Sequence, residues 1–268
     1  MDIIIFGGQS NMQGQSEALT STEIIPNAFE YRYLDNKLIP LKNPVGEDIT
    51  FDEMQGYRFD NGVDQQEWLN LHVTGSACYG HTNLVPEFCR SYTKTTGNKV
   101  IAVHIAKGST VIDDWLPGGA GYEIIVKKTC AAIKVAKSQE NVDRVFFVWL
   151  QGESDAISGN SKYYYKQKIT ELCQALKKDI GIEKFGIIRV GCFTNDERDL
   201  EIISAQNEVC IENADFLMLT EIATELNSRK EYMNPFVSGH YSANGLEKLG
   251  MEAGKILGAF VKNKRTLF

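Results

Sequence analysis

Ser10 ends the first apolar run of the chain, in the string Ile3-Ile4-Ile5-Phe6-Gly7-Gly8-Gln9-Ser10-Asn11-Met12. A serine hydroxyl becomes a nucleophile when a base takes its proton and donors meet the charge that develops on its target. The base this chain offers is His240, 230 positions downstream in Ser238-Gly239-His240-Tyr241-Ser242. Two further polar strings follow apolar runs: Ala106-Lys107-Gly108-Ser109-Thr110 and Gln151-Gly152-Glu153-Ser154-Asp155. They carry a glycine whose N–H can be approached closely, an amide side chain and two carboxylates. Alone, Ser10 would read as a helix cap. Together, the four strings point to acyl transfer.

Bringing such distant residues to one place requires a sheet. Five apolar runs read as buried parallel strands: Ile3–Phe6, Val100–Ala106, Val145–Leu150, Phe185–Val190 and Phe216–Leu219. Helical patterns alternate with them at Leu84–Thr95, Tyr122–Ser138, Tyr163–Lys178, Leu200–Asn213 and Ala243–Val261. This alternation predicts an α/β fold, a five-stranded parallel sheet between layers of helices. Open α/β sheets gather their ligands at the carboxyl ends of the strands, where the three polar strings emerge. His104, inside the second run, reads as a core histidine whose ring is satisfied locally.

Residues 13–83 break the alternation. Phe29–Leu34 and Lys37–Pro40 form a hairpin around Asp35-Asn36, and the stretch beyond it is polar and holds Trp68 and His72. An irregular stretch of that length suits a substrate-binding lobe. No linker, repeat or low-complexity tract interrupts residues 1–268, so one domain is expected.

The net charge of −7 argues against nucleic acid or an anionic membrane as the main partner. No window has the length of a membrane span. Met1-Asp2 leads directly into the first strand, as expected of a cytoplasmic protein or of a secreted one whose signal is removed. The six cysteines show no paired or metal-ligand spacing and read as buried free thiols, so neither metal nor cofactor is expected.

The strings GQSNM at 8–12, KGST at 107–110 with Trp115, QGESD at 151–155 and the late His240 resemble the SGNH-hydrolase superfamily. Within it they look like the sialate O-acetylesterase and acetylxylan-esterase branch, carbohydrate esterase family six. The resemblance spans Gly7 to Gly250 and implies a flavodoxin-like three-layer sandwich. It implies Ser10 as nucleophile, His240 as base, and an oxyanion hole from the N–H groups of Ser10 and Gly108 and the amide of Gln151. It also implies an acetylated carbohydrate as substrate. Gln9, Asn11, Ser109, Thr110 and Asp155 are expected on the substrate side. The α/β-hydrolase elbow G-x-S-x-G does not fit, because Met12 takes its last place.

One departure stands out. The branch carries an aspartate three residues before the histidine, and here that position is Val237. Glu153 is the first candidate to orient His240, then Asp155, then Glu221 or Glu225. The same departure keeps open a sugar-binding protein without catalysis, and a lipid- or thioester-cleaving enzyme remains an alternative on the same residues.

Overall fold

Ile3, Ile4, Ile5 and Phe6 have no solvent exposure. Successive strand residues point to opposite faces, so four buried residues in a row require cover on both sides. In the computed structural model, which describes residues 1–18, 20–43, 45–46 and 82–265, they lie in β1 (Asp2–Gly8) at the centre of the sheet. The other strands are β2 (Ala28–Arg32), β3 (Lys37–Pro40), β4 (Val100–Ala106), β5 (Arg144–Leu150), β6 (Lys184–Ile188) and β7 (Phe216–Thr220). Their order is β3-β2-β4-β1-β5-β6-β7.

The sheet therefore has seven strands, not the expected five. The two additional strands are the predicted hairpin. Its first strand pairs parallel with β4 and its second runs antiparallel at the edge. The hairpin continues the sheet beside β4, and its Tyr31 is fully buried, so this part of the stretch extends the core. Asn36 takes the left-handed conformation (φ 48°) that the tight turn demands. Trp68, His72 and most of the expected substrate lobe lie outside the described residues.

The helices are α1 (Ser10–Gln13), α2 (Val85–Thr96), α3 (Ala120–Lys137), α4 (Glu153–Ser158), α5 (Lys162–Asp179), α6 (Glu197–Glu212), α7 (Ala223–Asn227) and α8 (Ala243–Arg265). Helices α2 and α8 pack along each other, with α2 against β2 and β4 and α8 against β6 and β7, while α3 lies over β1 and β4. The core aromatics interlock, Trp115 meeting Trp149 edge-on at 5.5 Å between centroids. Among the free thiols, Cys89 and Cys173 are buried, but Cys130, expected inside, is exposed on α3. Among the described residues no helix is long and apolar enough to cross a membrane.

The register positions the site. Gly8 at the end of β1 pairs with Ala106 of β4 on one side and Leu150 of β5 on the other. The three strands end level, so the residues after them emerge side by side. Gly8 adopts φ 149°, and a Cβ there would stand 2.1 Å from Leu150 O. Only glycine lets β1 turn this close to β5.

Candidate active site

Ser10 opens α1, a single turn closed by Gln13 N–H donating to Gln9 O at 2.8 Å and ended by Gly14 in the left-handed conformation. Below it, His104 Nε2 lies 3.0 Å from Met12 O, and burial drives this imidazole down to about 4, so it stays neutral and donates. His104 thus supports the turn that carries Ser10.

His240 Nε2 lies 2.9 Å from Ser10 Oγ, and its Nδ1 lies 2.9 Å from Ser238 O. A carbonyl oxygen only accepts, so the hydrogen-bond network assigns the ring proton to Nδ1 and leaves Nε2 bare toward the serine hydroxyl. That is the tautomer a base needs. Burial holds the half-buried imidazole below its ordinary 6.5, opposed by the bond to Ser238.

No carboxylate touches the imidazole among the described residues, and this corrects the expectation for Glu153. Its Oε1 accepts from Asn11 Nδ2 at 2.8 Å, while its Oε2 meets no donor among the described residues. Burial raises the Glu153 carboxyl. The other fallback acids are engaged as well. Glu221 pairs with Arg189 at 2.6 Å, and Glu225 lies 3.6 Å from Arg229.

Asn11, expected toward substrate, is buried and clasps the histidine loop from both sides of His240. Its Oδ1 accepts from Tyr241 N–H at 3.2 Å, and its Nδ2, besides holding Glu153, lies 3.4 Å from Gly239 O. On the other side Phe193 meets the His240 ring edge-on at 6.0 Å. Gly239, at φ 74°, lets this ring approach: a Cβ there would lie 2.0 Å from Phe193 Cε2. Phe193 is held in turn by Asp199, which accepts the backbone N–H groups of Phe193, Thr194 and Asn195 at 3.0, 3.0 and 2.7 Å.

Three further expected site residues have structural tasks. Gln9 Oε1 takes the N–H groups of Gly152 and Ser154 at 3.3 and 3.2 Å, tying β1 to the start of α4. Thr110 Oγ1 donates to Lys107 O and accepts from Trp115 Nε1. Asp155, fully buried and pushed up to about 6 by that burial, accepts from Ile112 N–H, Gln151 Nε2 and Asn160 Nδ2. Ser109 does stand exposed beside the site, in the left-handed conformation at φ 62°.

The oxyanion expectation also needs correction at Gln151. This side chain is fully buried; its Nε2 donates to Thr110 O at 2.8 Å and to Asp155, and its Oε1 accepts from Tyr165 OH at 3.1 Å. An amide has two N–H groups, and both are spent. Gly108 lies beside Ser10, a Cβ on it standing 3.4 Å from Ser10 Cβ, and its N–H donates to Gln13 Oε1 at 3.1 Å.

Residues 1–256 match the family model described as carbohydrate esterase, sialic acid-specific acetylesterase. The chain belongs to this family. A probable carbohydrate esterase of Arabidopsis thaliana is 24% identical over 221 residues, 78% of each chain. The X-ray structure of that Arabidopsis protein superimposes with a TM-score of 0.62 at 17% identity, over 98% of each chain. NanS gives 0.65 at 15% identity, covering 99% of this chain and 98% of its own. A lipase/acylhydrolase from Enterococcus faecalis gives 0.51 at 13%, over 97% of both. At such identities the likeness is one of fold alone, an α/β arrangement around a central sheet.

Sequence reading of this family member missed Phe193 and Asp199, which border the histidine loop. Asp199 left a trace: an acidic residue in the first turn of a helix, preceded by Asn195 and Asp196.

Proposed function

We propose that this chain hydrolyses O-acetyl esters on a carbohydrate, with Ser10 as nucleophile. The supporting observation is the 2.9 Å contact between Ser10 Oγ and a His240 Nε2 left free of its proton by the bond from Nδ1 to Ser238. Ser10 Oγ attacks the ester carbonyl carbon as its proton passes to Nε2. The tetrahedral intermediate carries its negative charge on the former carbonyl oxygen, which the N–H groups of Ser10 and Gly108 would hold. The intermediate collapses, the bond to the sugar oxygen breaks, and that oxygen takes the proton from Nε2. Water gives a proton to the same nitrogen and attacks the acetyl-serine; the bond to Ser10 Oγ breaks, Oγ takes that proton back, and acetic acid leaves and ionises to acetate.

The backbone carbonyl of Ser238 fixes the tautomer as a carboxylate would, but it carries no full charge to stabilise imidazolium. Burial, only partly opposed by the bond to Ser238, therefore leaves the base below its ordinary pKa. Activity requires neutral His240, so kcat/KM should rise with pH through a midpoint below 6.5 and stay flat through neutrality. A carboxylate acting on the ring would move that midpoint up. A measured midpoint above about 7 therefore counts against the carbonyl as orienting group.

The direct test of function is release of p-nitrophenol from its acetate and butyrate esters, with acetate release from a per-O-acetylated sugar alongside. Acetate preference and sugar deacetylation support the reading. Strong preference for the longer acyl chain would turn it toward a lipid-type enzyme. No release above a buffer control would turn it toward sugar binding without catalysis.

A further inference from the structure

Gln151 does not supply the third oxyanion donor that the resemblance implied, since both its N–H groups are bound to Thr110 and Asp155. The space beside Ser10 and Gly108 holds another amide. Gly108 N–H donates to Gln13 Oε1 at 3.1 Å, and Gln15 Nε2 lies 3.4 Å from that same oxygen. A carbon built on Gly108 would stand 3.1 Å from Gln15 Nε2, 3.4 Å from Gln13 Oε1 and 3.4 Å from Ser10 Cβ. A neutral carboxamide oxygen thus occupies the meeting point of two donors next to the serine.

Those are the surroundings that a reacting carbonyl oxygen requires. We propose that Gln15 Nε2 is the third oxyanion donor, and that Gln13 Oε1 is a resident stand-in for the substrate oxygen, which displaces it from Gly108. The assignment rests on the esterase reading above. An ester oxygen gains full negative charge in the tetrahedral intermediate, whereas the carboxamide oxygen stays neutral. The two donors therefore favour the intermediate over the resident amide, as differential transition-state binding demands.

Gln15 is placed for this. The residue is only half-buried, unlike fully buried Gln151, so solvent and an arriving ester can reach it. Its backbone is tied to the base: Asn234 Nδ2 donates to Gln15 O at 3.1 Å, while Asn234 N–H donates to His240 O at 2.8 Å. One buried asparagine thus fixes the proposed donor relative to the histidine loop.

Gln15→Leu and Gln15→Glu provide the test, since the first removes the amide and the second keeps its shape while replacing both N–H groups by an acceptor. On p-nitrophenyl acetate each should lose about 10²–10³-fold in kcat with KM changed by less than about threefold, the signature of an interaction made in the transition state. Melting temperatures of both should stay with wild type, which separates a lost donor from a damaged fold. If wild type hydrolyses the ester and either folded variant keeps kcat within about fivefold, Gln15 is not the donor and the chemistry at Ser10 stands. Wild-type protein inert toward every ester tested removes the esterase reading and this assignment with it. A Ser10 phosphonate adduct supplies a second readout: its oxygen should displace Gln13 Oε1 from Gly108 N–H and bond to Gln15 Nε2. An adduct that leaves Gln13 in place overturns the stand-in role.

Discussion

Ser10→Ala should reduce ester hydrolysis by about 10⁴–10⁶-fold while leaving the fold intact. The loss is this large because in the proposed mechanism the hydroxyl forms the covalent bond, and His240 has no second nucleophile within the contacts described. What survives would be hydrolysis assisted by the remaining oxyanion donors, acting on water. The structural cost is small. Ser10 Oγ makes one side-chain hydrogen bond, to His240 at 2.9 Å, worth about 1 kcal/mol. The turn itself is held by backbone bonds from Met12, Gln13 and Gly14 that an alanine preserves. Steady-state rates on p-nitrophenyl acetate, with a melting curve on the same sample, check both halves. Mass spectrometry after treatment with an organophosphonate should place the label on Ser10 in wild type and find none in the variant. Activity of the variant within about 10-fold of wild type would remove Ser10 from the mechanism.

How much of this site could be read without coordinates follows from what fixes each part. The meeting of residues 10, 108 and 151 depends on three apolar strands ending level, and apolar runs are legible. The hairpin was legible as a hairpin, but not its attachment to β4, because strand partnership is decided by packing at long range. Donor direction was less legible still. Gln151 lies next to the right glycine in the right string, yet an amide can spend its hydrogens on either side, and here Thr110 and Asp155 take both. Val237 correctly announced that the usual aspartate was missing. Its replacement was hidden because a backbone carbonyl carries no residue type: Ser238 O serves whatever the side chain is. Phe193 acts through its own ring, which approaches Gly239 closely, and nothing in its neighbourhood of sequence announces the histidine loop.

Asn11→Ala should lower kcat/KM by about 10²-fold or more and destabilise the protein, because one side chain joins two parts of the site. The amide holds Tyr241 N–H and lies near Gly239 O, so its removal frees the loop on both flanks of His240. It also strips Glu153 of the Asn11 donor at 2.8 Å, leaving a buried carboxyl without that bond. An unsatisfied buried group of this kind costs about 1–3 kcal/mol. At this chain length that corresponds to a melting temperature lower by roughly 2–4 °C per kcal/mol.

Glu153→Gln separates a relay through Asn11 from a direct hold on the imidazole. A glutamine keeps an oxygen for Asn11 Nδ2 and carries no charge to desolvate, so the clasp on the histidine loop survives. The expected rate is within about 10-fold of wild type, with stability no lower. Were Glu153 the acid of a triad, the same change should cost about 10⁴-fold in kcat, as the wrong tautomer would then face the serine. Glu153→Leu removes the acceptor altogether and should fall toward Asn11→Ala in both rate and melting temperature. A charge-neutral swap that is mild beside an apolar swap that is severe is the pattern of a residue acting by hydrogen bond through its neighbour. The pH midpoint adds the independent check: it should stay below 6.5 in Glu153→Gln, because the group facing Nδ1 is still the carbonyl of Ser238.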